Sequence, residues 1–242
     1  MNAELDQVRK IISKSPSVVF FGGAGVSTAS GIPDFRSATG LYNRIENTSF
    51  SPEYMLSHEF LMSHPADFSD YVRRNLIAPE ALPNGAHLAL KRLEDQGKLS
   101  AIITQNIDGL HQLAGSTNVL EIHGNLTDYY CMRCHKPFER TEFLKGQGES
   151  HCSCGGIIRP DVVLYGEGLD QRVWREAVEA IERAQTFIVG GSSLVVYPAA
   201  SLLNYYRGHE LILLNQEPTP ADRYADYVLH GDISVIQPSL VE

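Results

Sequence analysis

Short apolar runs, each bounded by glycine or polar residues, recur along the chain and set its periodicity. Ser17-Val18-Val19-Phe20-Phe21 is followed at once by Gly22-Gly23-Ala24-Gly25-Val26-Ser27, which predicts a strand, a glycine turn and the start of a helix in that order. Further runs occupy 99–104, 186–190 and 211–215, and their near-continuous apolar character is that of parallel strands covered on both faces. Helical spacing precedes most of them. Leu88, Leu90 and Leu93 recur through 84–96, which stops at Gly97, and Val173, Ala177, Val178 and Ile181 share one face of 171–184. The alternation predicts an α/β fold, a Rossmann-like doubly wound parallel sheet.

Two stretches interrupt the alternation. The first, about 39–83, is rich in Ser, His, Pro and aromatic residues and predicts a loop with short helices beside the nucleotide crevice. The second, about 128–159, contains all four cysteines: Cys131-Met132-Arg133-Cys134, then 17 residues, then Cys152-Ser153-Cys154. Four thiolates so grouped can satisfy one tetrahedral zinc ion, and a closed set of four leaves no open position, so the metal is expected to serve folding. His135 and His151 could replace a thiolate that falls short. Paired disulfides or a redox dithiol is the competing reading. Both insertions are expected to pack as a small lobe on a main lobe of about 1–38, 84–127 and 160–242, with a cleft between, the 242 residues forming one catalytic domain.

Composition narrows the class. A hydrophobic content of 43% suits one sizeable core plus a satellite, and 29 acidic against 20 basic residues, a formal net charge of −9, oppose direct nucleic-acid binding and favour a basic partner segment. No apolar run approaches a membrane span, and 1–6 lacks the features of a secretion leader. A cytoplasmic protein is expected, in keeping with clustered rather than scattered cysteines.

The glycine motif Gly23-Ala24-Gly25-Val26-Ser27-Thr28 has two glycines of a dinucleotide fingerprint and Thr28 in place of the third. Glycines let the backbone approach a pyrophosphate, which then sits on the N–H groups at the start of the next helix. A tight turn that binds nothing has the same appearance. The acid-ending second strand of a dehydrogenase is missing, and Gly31-Ile32-Pro33-Asp34-Phe35-Arg36 instead cuts the helix short and brings an aromatic and a guanidinium near the phosphates. A second polar block, Thr104-Gln105-Asn106-Ile107-Asp108-Gly109-Leu110-His111, follows the 99–104 run, and Asp108 there could simply cap a helix as its N-cap. A third is Glu121-Ile122-His123-Gly124-Asn125. A lone histidine after a strand is often structural, yet imidazole is the side chain suited to proton transfer near neutral pH. The remaining histidines, His111 included, read as surface, packing or capping residues.

Taken together these blocks resemble the sirtuin family, NAD-dependent protein-lysine deacylases, from about Ser17 to Ile233. The C-x-C pair departs from that family's usual C-x-x-C. The resemblance implies NAD as cosubstrate, one structural zinc on Cys131, Cys134, Cys152 and Cys154, and acyl-lysine peptides or proteins as partners. His123 and Asn106 become catalytic. Gly23, Ala24, Gly25, Thr28, Asp34, Phe35, Arg36, Gln105, Ile107, Asp108, Gly191, Ser192 and Ser193 hold the nicotinamide and phosphate portions, with Asn215, Glu217, Asp232 and Ile233 at the adenosine. Val163, Tyr165 and Gly166 meet the substrate by strand addition, and Ile107 and Asp108, which wall the nicotinamide pocket, also face the substrate. By the same resemblance, the acyl oxygen attacks the nicotinamide ribose, nicotinamide leaves, an O-alkylamidate forms, and His123 activates a ribose hydroxyl. O-acyl-ADP-ribose is the product.

Deacetylation is the expected reaction. Tyr71-Val72-Arg73-Arg74 leaves removal of acidic acyl groups open, because a Tyr-x-x-Arg pair marks relatives that accept succinyl or malonyl groups. A mono-ADP-ribosyltransferase, an NAD-dependent dehydrogenase and a zinc-ribbon binding module without turnover are the other readings.

Overall fold

The computed structural model describes residues 2–35, 37, 40–41 and 50–241. Six parallel strands form the main sheet: β1 (Val18–Gly22), β2 (Leu99–Thr104), β3 (Val119–Glu121), β7 (Thr186–Gly190), β8 (Leu211–Asn215) and β9 (Tyr227–His230), in the order β3-β2-β1-β7-β8-β9. A smaller antiparallel sheet, ordered β5-β4-β6, contains β4 (Gly124–Cys131), β5 (Pro137–Phe138) and β6 (Ile158–Val162).

Every residue of β1, β7 and β8 is buried, because helices cover both faces. Strand side chains alternate in direction, so β1 sends Val18 and Phe20 into one apolar layer and Val19 and Phe21 into the other. The first layer includes residues of helices Asn2–Lys14, Gly85–Asp95 and Ile233–Ser239, and the second includes Ala177 and Ile181 of helix Gln171–Arg183. This is the doubly wound sheet that the sequence predicts. A third apolar cluster lies outside it, joining Met55, Phe60, Phe68 and Tyr71 from the helical insertion to Tyr129, Cys131, Phe143 and Ile158 from the cysteine segment.

Two local expectations need correction. Leu88 is 48% exposed, since the buried stripe of its helix runs through Ala86, Ala89, Leu90 and Leu93, and Leu88 falls on the opposite face. The glycine turn leads not into an α-helix but into two three-residue 3₁₀ turns, Ala24–Val26 and Thr28–Ser30, ended by Gly31 at φ 84° and Pro33. Asn84 steadies this turn. Its Oδ1 accepts from Ala86 N–H (2.9 Å) at the start of helix Gly85–Asp95, while its Nδ2 donates to Val26 O (2.8 Å) and Ser30 Oγ (2.9 Å).

The same cap depends on a neutral histidine. Asn84 N–H donates to His87 Nδ1 (3.2 Å), which can accept only without a proton there, and the His87 ring lies 4.8 Å from that of His111. Burial pushes His87 down to about 4 against the opposing pull of the Asp108 carboxylate. Burial, aided by His87, pushes His111 to about 3. Both titrate near 6.5 when unfolded, so below that pH the unfolded chain binds protons that the folded chain does not. Stability is therefore full above pH 6.5 and falls as the pH drops toward 4 and then 3. Denaturant unfolding at pH 7 and pH 5 is expected to differ by roughly 1–2 kcal/mol per histidine, and His111→Leu should remove part of that slope.

Candidate active site

Strand order reverses between β1 and β7, and the crevice beyond the carboxyl ends of strands at such a switch point is where α/β sheets bind ligands. The loops leaving these two strands touch backbone to backbone. Gly23 N–H donates to Gly190 O (3.1 Å) and Gly25 N–H to Gly191 O (2.8 Å). A side chain on Gly25 would meet Gly191 Cα at 2.8 Å, so the contact requires glycine. Above it opens a cavity of about 990 Å³.

One end of the cavity is polar. Ser192 N–H donates to Asn215 Oδ1 (2.9 Å), and Ser192 Oγ donates to Gln105 Oε1 (2.8 Å), which ties the ends of β7, β8 and β2 together. Fixing Asn215 Oδ1 also fixes Nδ2, which is buried without a partner among the described residues and belongs to a residue that lines the cavity. Ser193, Glu217, Asp232 and Ile233 line the same end. Asp232 already caps helix Ile233–Ser239 through Ser234 N–H (2.8 Å). A cavity of about 990 Å³ with closely apposed glycines and a spare buried amide donor fits a dinucleotide.

The other end is largely apolar. Phe35 and Ile107 pack into the third apolar cluster and line the cavity together with Leu56, Leu76 and Leu164. Ala24, Gly25, Thr28 and Asp34 form the adjoining wall. Asn106 is held by two bonds, its N–H to Thr104 Oγ1 (3.0 Å) and its Nδ2 to Ser27 Oγ (3.0 Å), so that Oδ1 is the side-chain atom left over. Ser27 Oγ in turn donates to Asp108 Oδ2 (2.6 Å). The other carboxylate oxygen accepts from Leu110 N–H (2.9 Å). Asp108 thus caps the helix Leu110–Leu113 from one position earlier than expected, because Gly109 at φ 75° occupies the N-cap itself. Gly23 and Asp108 stand behind the cavity wall, and Arg36 lies outside the described residues.

His123 sits in the turn between β3 and β4 and lines the cavity. Its Nδ1 lies 3.1 Å from Gln105 O, and a carbonyl can only accept, so Nδ1 carries the proton and Nε2 presents a lone pair. Burial lowers its pKa, with the Gln105 bond opposing, and the ring is therefore a neutral base.

Beside His123 the segment after β6 runs along the cavity. Val163 N–H donates to His123 O (2.9 Å), Tyr165 N–H to Leu56 O (3.0 Å) and His58 N–H to Tyr165 O (2.9 Å). Val163 O and Gly166 N–H have no partner among the described residues, and both residues line the cavity. Unpaired main-chain groups on such an edge accept an extended chain.

The arginines of the Tyr-x-x-Arg sequence are directed elsewhere. Tyr71 is buried in the third cluster. Arg73 donates to Phe143 O (2.9 Å), Gly148 O (2.7 Å), Ser150 Oγ (3.0 Å) and Asp70 Oδ1 (3.0 Å), which staples the helical insertion to the cysteine segment. The Arg74 side chain is 77% exposed and pairs weakly with Asp70. Neither lines the cavity, and no lysine or arginine does among the described residues.

The four cysteine sulfurs lie within 4.8 Å of one another. Cys131 to Cys154 is 3.5 Å and Cys134 to Cys152 is 3.6 Å, far beyond a disulfide of about 2.05 Å. Sulfurs at 2.3 Å around a tetrahedral zinc stand about 3.8 Å apart, so the cage fits that ion. The single residue between Cys152 and Cys154 suffices because Gly155 at φ 82° and Gly156 turn the chain tightly, and a side chain on Gly156 would meet Cys131 Sγ at 2.6 Å. His151 instead lies 2.8 Å from Glu149, so neither it nor His135 is needed as a ligand.

Residues 23–198 match the model of the Sir2 family. The chain belongs to that family. It is 50% identical over 244 residues to an NAD-dependent protein deacetylase of Clostridium perfringens (strain 13 / Type A), covering 100% of both chains. It is 52% identical to one of Clostridium tetani (strain Massachusetts / E88), covering 97% of this chain and 96% of the relative. Among solved structures it resembles a Sir2 enzyme at 39% identity and TM-score 0.90, covering 100% of this chain and 97% of the other. It also resembles a complex of Sir2, p53 peptide and NAD+ at 38% identity and TM-score 0.84, covering 96% and 95%.

Several residues of this Sir2-family site escaped the sequence reading. Ser27 was visible in the glycine motif, yet its bridge between Asn106 and Asp108 arises only when β1 and β2 lie side by side. Leu56 and Leu76 carry no motif at all, and reach the cavity through the packing of the insertion.

Substituting serine for Cys154 should remove about one zinc per chain and lower the melting temperature, measured by elemental analysis and calorimetry. Unchanged zinc content would refute the four-thiolate cage.

Proposed function

We propose that this chain is an NAD-dependent protein-lysine deacetylase that releases nicotinamide and yields deacylated lysine and O-acyl-ADP-ribose. The observation that carries the reading is His123, a neutral base with Nε2 available, standing between the polar end of the cavity and an edge ready for strand addition. Family membership and relatives named as deacetylases support the same activity.

Bound NAD supplies the electrophilic ribose carbon and the hydroxyls that the reaction uses. The chain's own residues orient and protect it. Asn215 and Ser192 form a hydrogen-bonded unit to receive the adenosine side and phosphates, Gln105 joins that unit to the nicotinamide ribose, and Asn106 Oδ1 is aimed by Ser27 and Thr104 for the same ribose. Phe35 and Ile107 give the reacting end a low dielectric that excludes water. His123 Nε2 accepts a proton from a ribose hydroxyl while Gln105 O keeps its ring oriented. Val163, Tyr165 and Gly166 receive the peptide backbone, leaving the acyl-lysine to enter the apolar end.

Leu56, Leu76 and Leu164 favour a neutral acyl group, because a carboxylate there would be desolvated without a cationic partner among the described residues. We assign the protein to the cytoplasm, a reading supported by the zinc-sized thiol cage, and expect no direct nucleic-acid partner given the net charge of −9. No described helix is long and apolar enough to cross a membrane. The division into a sheet lobe and a lobe of two insertions is supported by the apolar cluster that joins the two insertions, which also takes in Leu126, Val162 and Leu164 where the lobes meet.

His123→Ala should abolish peptide deacetylation while NAD binding, followed by calorimetry, is retained; full turnover in that variant would sink the mechanism. Because the neutral imidazole is active and burial lowers its pKa, the acidic limb of kcat should fall below the ordinary histidine value of 6.5. Mass spectrometry of acetyl- and succinyl-lysine peptides should show acetyl removal faster by at least about 10-fold, the cost of one unpaired buried charge being no smaller. Arg74→Ala should leave that ratio unchanged, and a fall in succinyl removal alone would restore Arg74 as an acyl reader.

A further inference from the structure

Glu167 gathers partners from three parts of the chain beside the proposed peptide edge. Its Oε1 lies 2.8 Å from His58 Nδ1 and 2.5 Å from Arg159 Nη1. Its Oε2 accepts from Arg159 Nη2 (3.0 Å) and from Leu164 N–H (2.9 Å). Arg159 is 2% exposed, and it also donates to Val162 O and to Pro160 O (3.2 Å). Burial would raise the Glu167 carboxyl, but Arg159, the Leu164 N–H and His58 hold it below the usual carboxylate range.

The local backbone explains how a glutamate reaches back so far. Residues 164–167 form a turn closed by Glu167 N–H to Leu164 O (3.0 Å), with Gly166 at φ 87° in the position that demands a positive angle. The turn places the Glu167 side chain under the strand it has just left, where its carboxylate closes on Leu164 N–H. From Val162 to Tyr165, one main-chain group after another is thereby committed: Val162 O to Arg159, Val163 N–H to His123 O, Leu164 N–H to Glu167, and both polar groups of Tyr165 to 56–58. Val163 O and Gly166 N–H remain, and their direction is set by the groups that are tied down.

We propose that Glu167, paired with Arg159 and linked to His58, is a positioning residue for the substrate backbone. It holds Val163 O and Gly166 N–H in the register that an extended peptide reads, and through the Val163 to His123 bond it keeps that register aligned with the base. The inference rests on the deacetylase reading. Its consequence is specific: Glu167 governs the preference for a peptide over an isolated acetyl-lysine, because only the peptide offers main-chain groups on both sides of the modified residue.

The test compares kcat and KM for an acetyl-lysine peptide and for Nα-acetyl-Nε-acetyl-lysine amide, alongside peptide binding by fluorescence anisotropy. Glu167→Gln keeps the shape and removes the charge. Since it leaves Arg159 buried and unpaired, the double variant Arg159→Met/Glu167→Leu, which replaces the pair by apolar residues of similar volume, accompanies it. Peptide KM should rise by about 10-fold in each folded variant, the worth of one or two main-chain hydrogen bonds, with kcat and the single-residue KM within about 3-fold of the parent. An unchanged ratio between the two substrates in a folded variant overturns the positioning role, even if both rates fall together. A parent protein that neither binds nor turns over the peptide overturns the deacetylase reading instead.

Discussion

Backbone-to-backbone contact between the loops after β1 and β7 is the constraint on which the site depends. At this point the strand order reverses, and two chains leave the sheet in opposite directions with a crevice between them. Gly23 and Gly25 donate to Gly190 and Gly191 across it, a separation that a Cβ on Gly25 would not tolerate. The closeness brings the ends of four strands within reach of one ligand. Gln105 follows β2, Ser192 follows β7 and Asn215 ends β8, and their direct hydrogen bonds show how little room the loops leave.

Around and behind the cavity wall at His123, the titratable groups stay neutral or are already paired. His123 is kept uncharged by burial and oriented by Gln105, while His87 and His111 lie neutral beneath the helix cap. Asp108 spends one oxygen on Ser27 and the other on Leu110 N–H. In a low-dielectric cleft an unpaired charge would be costly, whereas fixed dipoles lose nothing to reorganisation.

The two insertions support the apolar end of that cavity from outside the sheet. A thiol cage fixes β4, β5 and β6 as a compact module, and Arg73 joins it to the helical insertion through Phe143 O, Gly148 O and Ser150 Oγ. Leu56 and Leu76 are thereby held against Phe35 and Ile107. Arg73, the neighbour of the Tyr-x-x-Arg arginine Arg74, is in this way a structural strut. Glu167 makes the matching connection beside the proposed peptide edge, where it binds the insertion through His58 and the small sheet through Arg159.

By itself the sequence determined the parallel sheet, the glycine turn, the cluster of four cysteines and the histidine proposed here as the base. Those features rest on local patterns: uninterrupted apolar runs, glycines where backbone must approach, thiols at metal spacing, and short motifs around His123. Only the tertiary structure decided which face of 84–96 is buried, why Leu88 is not, and how Asp108 caps from one position early. It also decided where Arg73 and Arg74 point and what Glu167 holds. The placement of Arg73 depends on partners 70 to 77 residues away, and the cap by Asp108 on a single left-handed glycine, and periodicity in sequence carries no information about either. A side chain's type limits the bonds it can make, and the fold chooses among them.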